Sequence, residues 1–317
     1  MLDNLFIVDA HQDIAYHLNF FKRDFINPKI RCKITLPNLK KGKVKLLFNT
    51  IFVHPKNKPQ KTYEDALSQF TTYKMLFELY KDDIKKVDTF SKIEELKNSD
   101  KVGFLTMMEG ADPIESPRDL TEFYNKGVRI IGLAWNDKNH YASGYETNSE
   151  LSDLGKELIL RMNELGITLD LSHLNEICFW ESIDLTKLIP IATHSNAKSL
   201  TDHPRNLNDD QLKAIASRGG VIGIVLFDTF LKIEKKKPTL DELFQHTDYI
   251  INLCGEDHVG IGSDLDGARY QDFPKEIETV ADLPKIADFF VKKGYNEGRI
   301  KKIMGGNFLR VLEHNLK

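Results

Sequence analysis

His11 and Asp13 stand two residues apart directly after a short apolar run, and Glu109, His173 and His194 each follow a further apolar run. Asp264 and Asp266 follow the last one. Neutral imidazole together with carboxylate is a donor set for Zn²⁺, and it also suits Mn²⁺, Fe²⁺ or Co²⁺. Alternate residues of an extended segment point the same way, so His11 and Asp13 can reach one ion. His173 and His194 can grip a second, and the two oxygens of Glu109 can bridge both. Two ions roughly 3.5–4 Å apart can share a water, lower its pKa and polarise a carbonyl oxygen. Asp264 would then take the proton from that bridging water, the nucleophile, and pass it to a leaving nitrogen. Such chemistry needs no serine or cysteine nucleophile.

Taken singly, each residue has an ordinary structural use. A histidine at a strand end is usually hydrogen-bonded scaffolding, and an aspartate before a helix is usually an N-cap. Asp266, beside Gly267, reads as a cap or turn residue. The joint pattern is what counts, and it depends on the elements that would position these side chains. Eight apolar, largely β-branched runs occur: Leu5–Asp9, Leu46–Val53, Val102–Met108, Val128–Trp135, Ile167–Ser172, Ile189–Thr193, Gly220–Phe227 and Val259–Ser263. Most are near-continuous, the pattern of parallel strands buried on both faces. Helical periodicity falls between them, over 63–80, 151–165, 209–217 and 241–254, and Gly127, Gly166, Gly219 and Gly255 supply C-terminal stops. Three further segments follow the eighth run, 281–293, 297–304 and 307–315.

Eight strands alternating with helices predict a parallel sheet closed into an α/β (β/α)8 TIM barrel with a C-terminal helical extension, as one domain over residues 1–317. An open doubly wound sheet would carry a glycine-rich turn after the first strand, where this chain has Asp9-Ala10-His11-Gln12-Asp13. In a barrel the chemistry lies at the C-terminal strand ends. Five of the eight ends carry His, Asp or Glu, so all would converge on one cleft.

The chain has 317 residues, 41% hydrophobic and 29% charged, with a net charge of −3, which gives no general affinity for nucleic acid or acidic membranes. Cys32, Cys178 and Cys254 form no CxxC pair and read as reduced cytosolic thiols. Asp3 and the short run Leu5–Val8 do not make a signal segment, and no apolar run is long enough to span a bilayer, so a cytoplasmic protein is expected. The lysine-rich stretch 232–237 reads as a solvated loop.

The ordered set Asp9-Ala10-His11-Gln12-Asp13, Met108-Glu109-Gly110, Asp170-Leu171-Ser172-His173, Thr193-His194-Ser195-Asn196-Ala197, Pro204-Arg205-Asn206, Gly260 to Gly267 and Gly305-Gly306-Asn307-Phe308 resembles the zinc-dependent renal (membrane) dipeptidase family of the amidohydrolase superfamily. The resemblance spans nearly the whole chain. It implies a metallo-dipeptidase, with two Zn²⁺ ions as cofactors. His11 and Asp13 match the ligands of one zinc, Glu109 the bridging carboxylate, and His173 and His194 the ligands of the other. Asp264 matches the proton-handling acid, and Arg205 the arginine that receives the substrate's C-terminal carboxylate, for which a planar guanidinium is well suited. The implied partner is a small peptide, including one with a D-residue at its C-terminus. Family members are often dimers, which makes a homodimer the assembly the resemblance suggests.

One departure stands out. The family carries a histidine after the fourth strand that helps hold the polarised carbonyl oxygen, and Trp135 stands in its place here. Indole donates one hydrogen bond and cannot be a cation. Asn136, Asn139 or His140 could stand in, so Trp135 and Asn136 are expected to meet the substrate. The alternatives are a barrel of the same type acting on another amide, a lactam or an ester, and a catalytically weak ligand-binding barrel. Metal-dependent nucleases of the superfamily open with HxH, where this chain has His11-Gln12-Asp13.

Overall fold

The computed structural model describes residues 5–27, 32–55, 59–232, 237–267 and 273–316. Most of the lysine-rich stretch and the first four residues lie outside these. The strands are β1 (Ile7–Gln12), β2 (Val44–Phe52), β3 (Ile84–Val87), β4 (Val102–Glu109), β5 (Ile130–Gly132), β6 (Thr168–Asp170), β7 (Ile191–Ala192), β8 (Val221–Ile224) and β9 (Val259–Ile261). All pair in parallel, in the order β1-β2-β4-β5-β6-β7-β8-β9, which gives a nearly closed eight-stranded barrel wrapped by helices.

β3 is absent from the eight expected runs. It pairs with the lower half of β4, from Val102 to Leu105, while β5 takes the upper half of that same edge, from Met107 to Glu109. Ile84 and Val87 are its buried residues, and Lys85 and Lys86 break the apolar run that marks the others. Several expected strands are also shorter than their apolar runs. Leu133, Ala134, Val225 and Leu226 are fully buried yet lie beyond the ladders, in the segments that turn over the barrel top. Gly127, Gly166, Gly219 and Gly255 all have positive φ at helix ends, the conformation glycine adopts most cheaply.

Alternate strand residues divide the core. Val8, Ala10, Leu46, Phe48, Leu105, Met107, Ile130, Ile191 and Val221 cluster with Phe308, Val311 and Leu312 of the last helix, Asn307–Asn315. These fill the barrel and plug its lower end. Leu47, Ile51, Phe104, Met108, Ile131, Leu169 and Ile222 face the surrounding helices. Glu109 continues the inward series of Leu105 and Met107, so its carboxylate arrives at the barrel top.

Among the described residues no ladder joins β9 to β1. That seam is held by the buried Asp9 carboxylate and by Gln12, whose amide donates to the Ser263 hydroxyl (2.6 Å). Asp9 Oδ1 accepts the Ser263 N–H (2.8 Å), and Oδ2 accepts the Ser263 hydroxyl (2.7 Å) and the Gln12 amide (2.6 Å).

Candidate metal centre

The strand ends bring His11, Asp13, Glu109, His173 and His194 together, all buried. Glu109 Oε1 lies 2.9 Å from His173 Nε2, 3.3 Å from His194 Nε2 and 3.6 Å from His11 Nε2. Asp13 Oδ2 lies 3.6 Å from His11 Nε2. Donor atoms of His11, Asp13 and Asp264 form a second compact group that shares His11 with the first. Two of the residues at this centre hold left-handed backbone, His173 (φ 70°) and Asp264 (φ 54°). Non-glycine residues rarely adopt that region, and it clusters where function requires it.

The donor set fits divalent cations. His173 Nδ1 faces the Asn136 amide oxygen at 2.8 Å, an acceptor, so the proton sits on Nδ1 and the lone pair on Nε2. His173 Nε2 and His194 Nε2 then approach to 2.8 Å against the same carboxylate oxygen. Facing lone pairs on a buried carboxylate call for a cation between them. Asp13 Oδ1 and both His11 nitrogens are buried with no hydrogen-bond partner among the described residues, a state that costs free energy unless a ligand satisfies it.

The electrostatics separate the histidines. Burial holds His173 down to about 3, with Arg205 adding to the effect, and burial also holds His194 well below its ordinary value. For His11 burial opposes the charge, but the Glu109 carboxylate and the contacts with Asp13 and Glu109 outweigh it, so its imidazole titrates well above the usual range. Burial pushes Glu109 up, but the charge of His11, with His173 and His194 close by, outweighs it and holds the carboxyl well below its usual range. Asp264 is pushed well up by burial and by the charges of Asp13 and Glu109.

A hollow of about 590 Å³ opens over these groups. Asp13, Glu109, His173 and Asp264 form its floor, and Tyr16, Phe21, Phe52, Trp135 and Phe227 its aromatic walls. Phe21 ends the helix Ile14–Phe21 that follows β1, and Phe227 lies in the segment after β8. The Trp135 ring lies 5.3 Å from Phe52, 5.6 Å from His54 and 6.2 Å from His173, centroid to centroid. Asn136 sits behind His173, and its amide also reaches Glu146 (3.3 Å). Arg205 is buried, donating to the His194 carbonyl (2.6 Å) and the Ser195 hydroxyl (2.9 Å), while its Nε has no partner among the described residues. It lines a second hollow of about 280 Å³, and His173 borders both hollows. A larger space of about 800 Å³ lies at the opposite barrel end among Lys40, Lys43, Lys45 and Lys97, away from the strand ends that carry the chemistry.

Tyr16, His17, Arg23 and His54 at the hollow carry no mark in the sequence, and Asp266 reads there only as a cap or turn residue. Asp266 is no simple turn residue. Its buried carboxylate receives Arg23 Nη1 at 3.2 Å, and burial pushes it up to about 7. The signal was present, since Asp266 shares Asp264's short motif, but spacing alone could not say which way it faces.

Comparisons with known proteins agree with this geometry. The membrane dipeptidase profile (peptidase family M19) matches residues 1–316. An uncharacterized dipeptidase of Schizosaccharomyces pombe is 31% identical over 332 aligned positions, covering 96% of this chain and 79% of its own. A crystal structure of a dipeptidase, a metallopeptidase of family M19, superposes with a TM-score of 0.93 at 28% identity, covering 99% of each chain. A metallopeptidase from Rhodobacter sphaeroides, liganded with a phosphinate mimic of the dipeptide L-Ala-D-Ala, gives 0.93 at 27% identity and covers 99% of this chain and 100% of its own. With a full-length profile match, a barrel of the same architecture and a metal-type donor cluster at its top, this chain belongs to the membrane dipeptidase family, peptidase family M19, and is a metallo-dipeptidase by that membership.

Proposed function

We propose that the enzyme hydrolyses the amide bond of dipeptides using two divalent cations, zinc foremost, held by His11, Asp13, Glu109, His173 and His194. The observation that carries this reading is the meeting of two imidazole lone pairs on one Glu109 oxygen. Those cations would supply Lewis acidity and lower the pKa of the attacking water. Asp264 takes the proton from that water and delivers it to the leaving nitrogen, a role suited to a carboxyl that burial holds above its usual range. Arg205 receives the C-terminal carboxylate, since two of its N–H groups are committed to the protein and the rest of the fork is available. His173 borders both hollows, so a substrate lying across it puts its carboxylate toward Arg205 and its N-terminal residue among the aromatic walls. Trp135 meets that residue, while Asn136 orients His173. The L-Ala-D-Ala mimic bound by the Rhodobacter relative supports acceptance of a D-residue at the C-terminal position.

We read residues 1–317 as one catalytic unit acting in the cytoplasm, consistent with three unpaired cysteines and with no helix among the described residues long and apolar enough to cross a membrane. The test is a panel of L,L and L,D dipeptides with and without Zn²⁺, run beside metal analysis of His194→Ala. The wild type should cleave and hold two ions, and the variant should lose activity and metal. A fully active His194→Ala with two bound ions would sink the reading.

A further inference from the structure

Two residues of the motifs around His173 and His194 have no part in the chemistry above: Asp170 and Thr193. Both are buried. Asp170 Oδ1 accepts the backbone N–H groups of Ser172 (3.0 Å) and Thr193 (2.9 Å), and Oδ2 accepts the Thr193 hydroxyl at 2.5 Å. The same hydroxyl lies 2.8 Å from His194 Nδ1. A hydroxyl has one proton. Once it is given to Asp170, the oxygen can only accept from His194, so His194 carries its proton on Nδ1 and keeps the Nε2 lone pair for the centre.

We propose that Asp170 and Thr193 are positioning residues, a carboxylate–hydroxyl relay that fixes His194 in its metal-binding tautomer. The proposal rests on His194 being a metal ligand, but the tautomer can be read without metal. Outer partners of this kind are worth about 10–100-fold in metal affinity.

The relay has a directional consequence. In Asp170→Asn the amide oxygen must stay with the two backbone N–H groups, because these can only donate. The amide NH₂ then faces Thr193 and donates to its oxygen. The hydroxyl turns its proton to Nδ1, and the proton of His194 moves to Nε2, the atom that should bind metal. Thr193→Val removes the relay without reversing it, and Thr193→Ser preserves it.

The experiment is ¹⁵N-imidazole NMR of the metal-free protein, with zinc affinity measured by chelator competition. Thr193→Ser should bind zinc within about threefold of wild type, and Thr193→Val about 10–100-fold more weakly. Asp170→Asn should lose at least as much and show its His194 proton on Nε2. An Nε2–H signal for His194 in the wild type, an Nδ1–H signal in Asp170→Asn, or wild-type zinc affinity in Thr193→Val overturns the proposal. If Asp170→Asn does not fold, the near-isosteric Thr193→Val still decides through its zinc affinity. If the wild type binds no zinc, the proposed function fails, while the NMR signal still decides the tautomer.

Discussion

At the residue scale the most informative position is Trp135, which occupies the hollow beside His173 where the family pattern places a histidine. An imidazole there could hold a developing oxyanion, and a single such donor is worth about 10²–10³ in rate. Trp135→His should therefore raise kcat on unhindered dipeptides by about tenfold or more. An unchanged kcat in steady-state assays would show that another donor already serves. Arg205→Lys replaces a fork by a point charge. It should raise KM for dipeptides with a free carboxylate by about tenfold, and have little effect on their C-terminal amides. The five ligand-type residues were legible in the sequence because residue type and strand-end position both marked them. His17, Arg23 and Asp266 were not, because an arginine in a loop and an aspartate beside a glycine have many uses, and only folding aims them at one hollow.

At the element scale the barrel was readable where strands are long and apolar. β2 and β4 pair over seven residues, all within their expected runs but Glu109, which extends β4, while β2 starts two residues before its run, at Val44. β3 was hidden by Lys85 and Lys86, whose side chains are only half-buried and dilute the pattern. The short upper strands were overestimated, because buried residues such as Leu226 stay apolar after the ladder stops. Their close packing sets its own prediction. A Cβ on Gly262 would stand 1.8 Å from the Thr193 carbonyl oxygen, and one on Gly223 2.0 Å from it. Neither contact can relax by rotating a side chain. Gly262→Ala should cost at least the 1–3 kcal/mol or so typical of overpacking, read as a lower denaturant midpoint, and it should weaken metal binding by pushing β9 from the segment that carries His194.

For the whole molecule, acid should act through a buried histidine outside the metal centre. His246 is buried on the helix Leu240–Cys254, accepts the Ala197 N–H (3.1 Å) and faces the Leu231 carbonyl (3.0 Å). Burial lowers it from 6.5 to about 4. The unfolded chain takes up that proton first, so stability is full above pH 6.5 and falls as pH drops toward 4. The loss approaches about 3 kcal/mol over that window. Unfolding curves of His246→Gln against pH should be shallower than those of the wild type over this window. The seam between β9 and β1 carries a further consequence. Asp9 lies two residues before His11, and Ser263 directly precedes Asp264. Opening the seam therefore draws His11 and Asp264 apart together. Cations bound at the barrel top would then act as a clasp on a ring with one missing rivet line. Deuterium uptake should rise at Ser263 and along β1 soon after chelation, ahead of the β2–β4 ladder, and slow again when zinc returns.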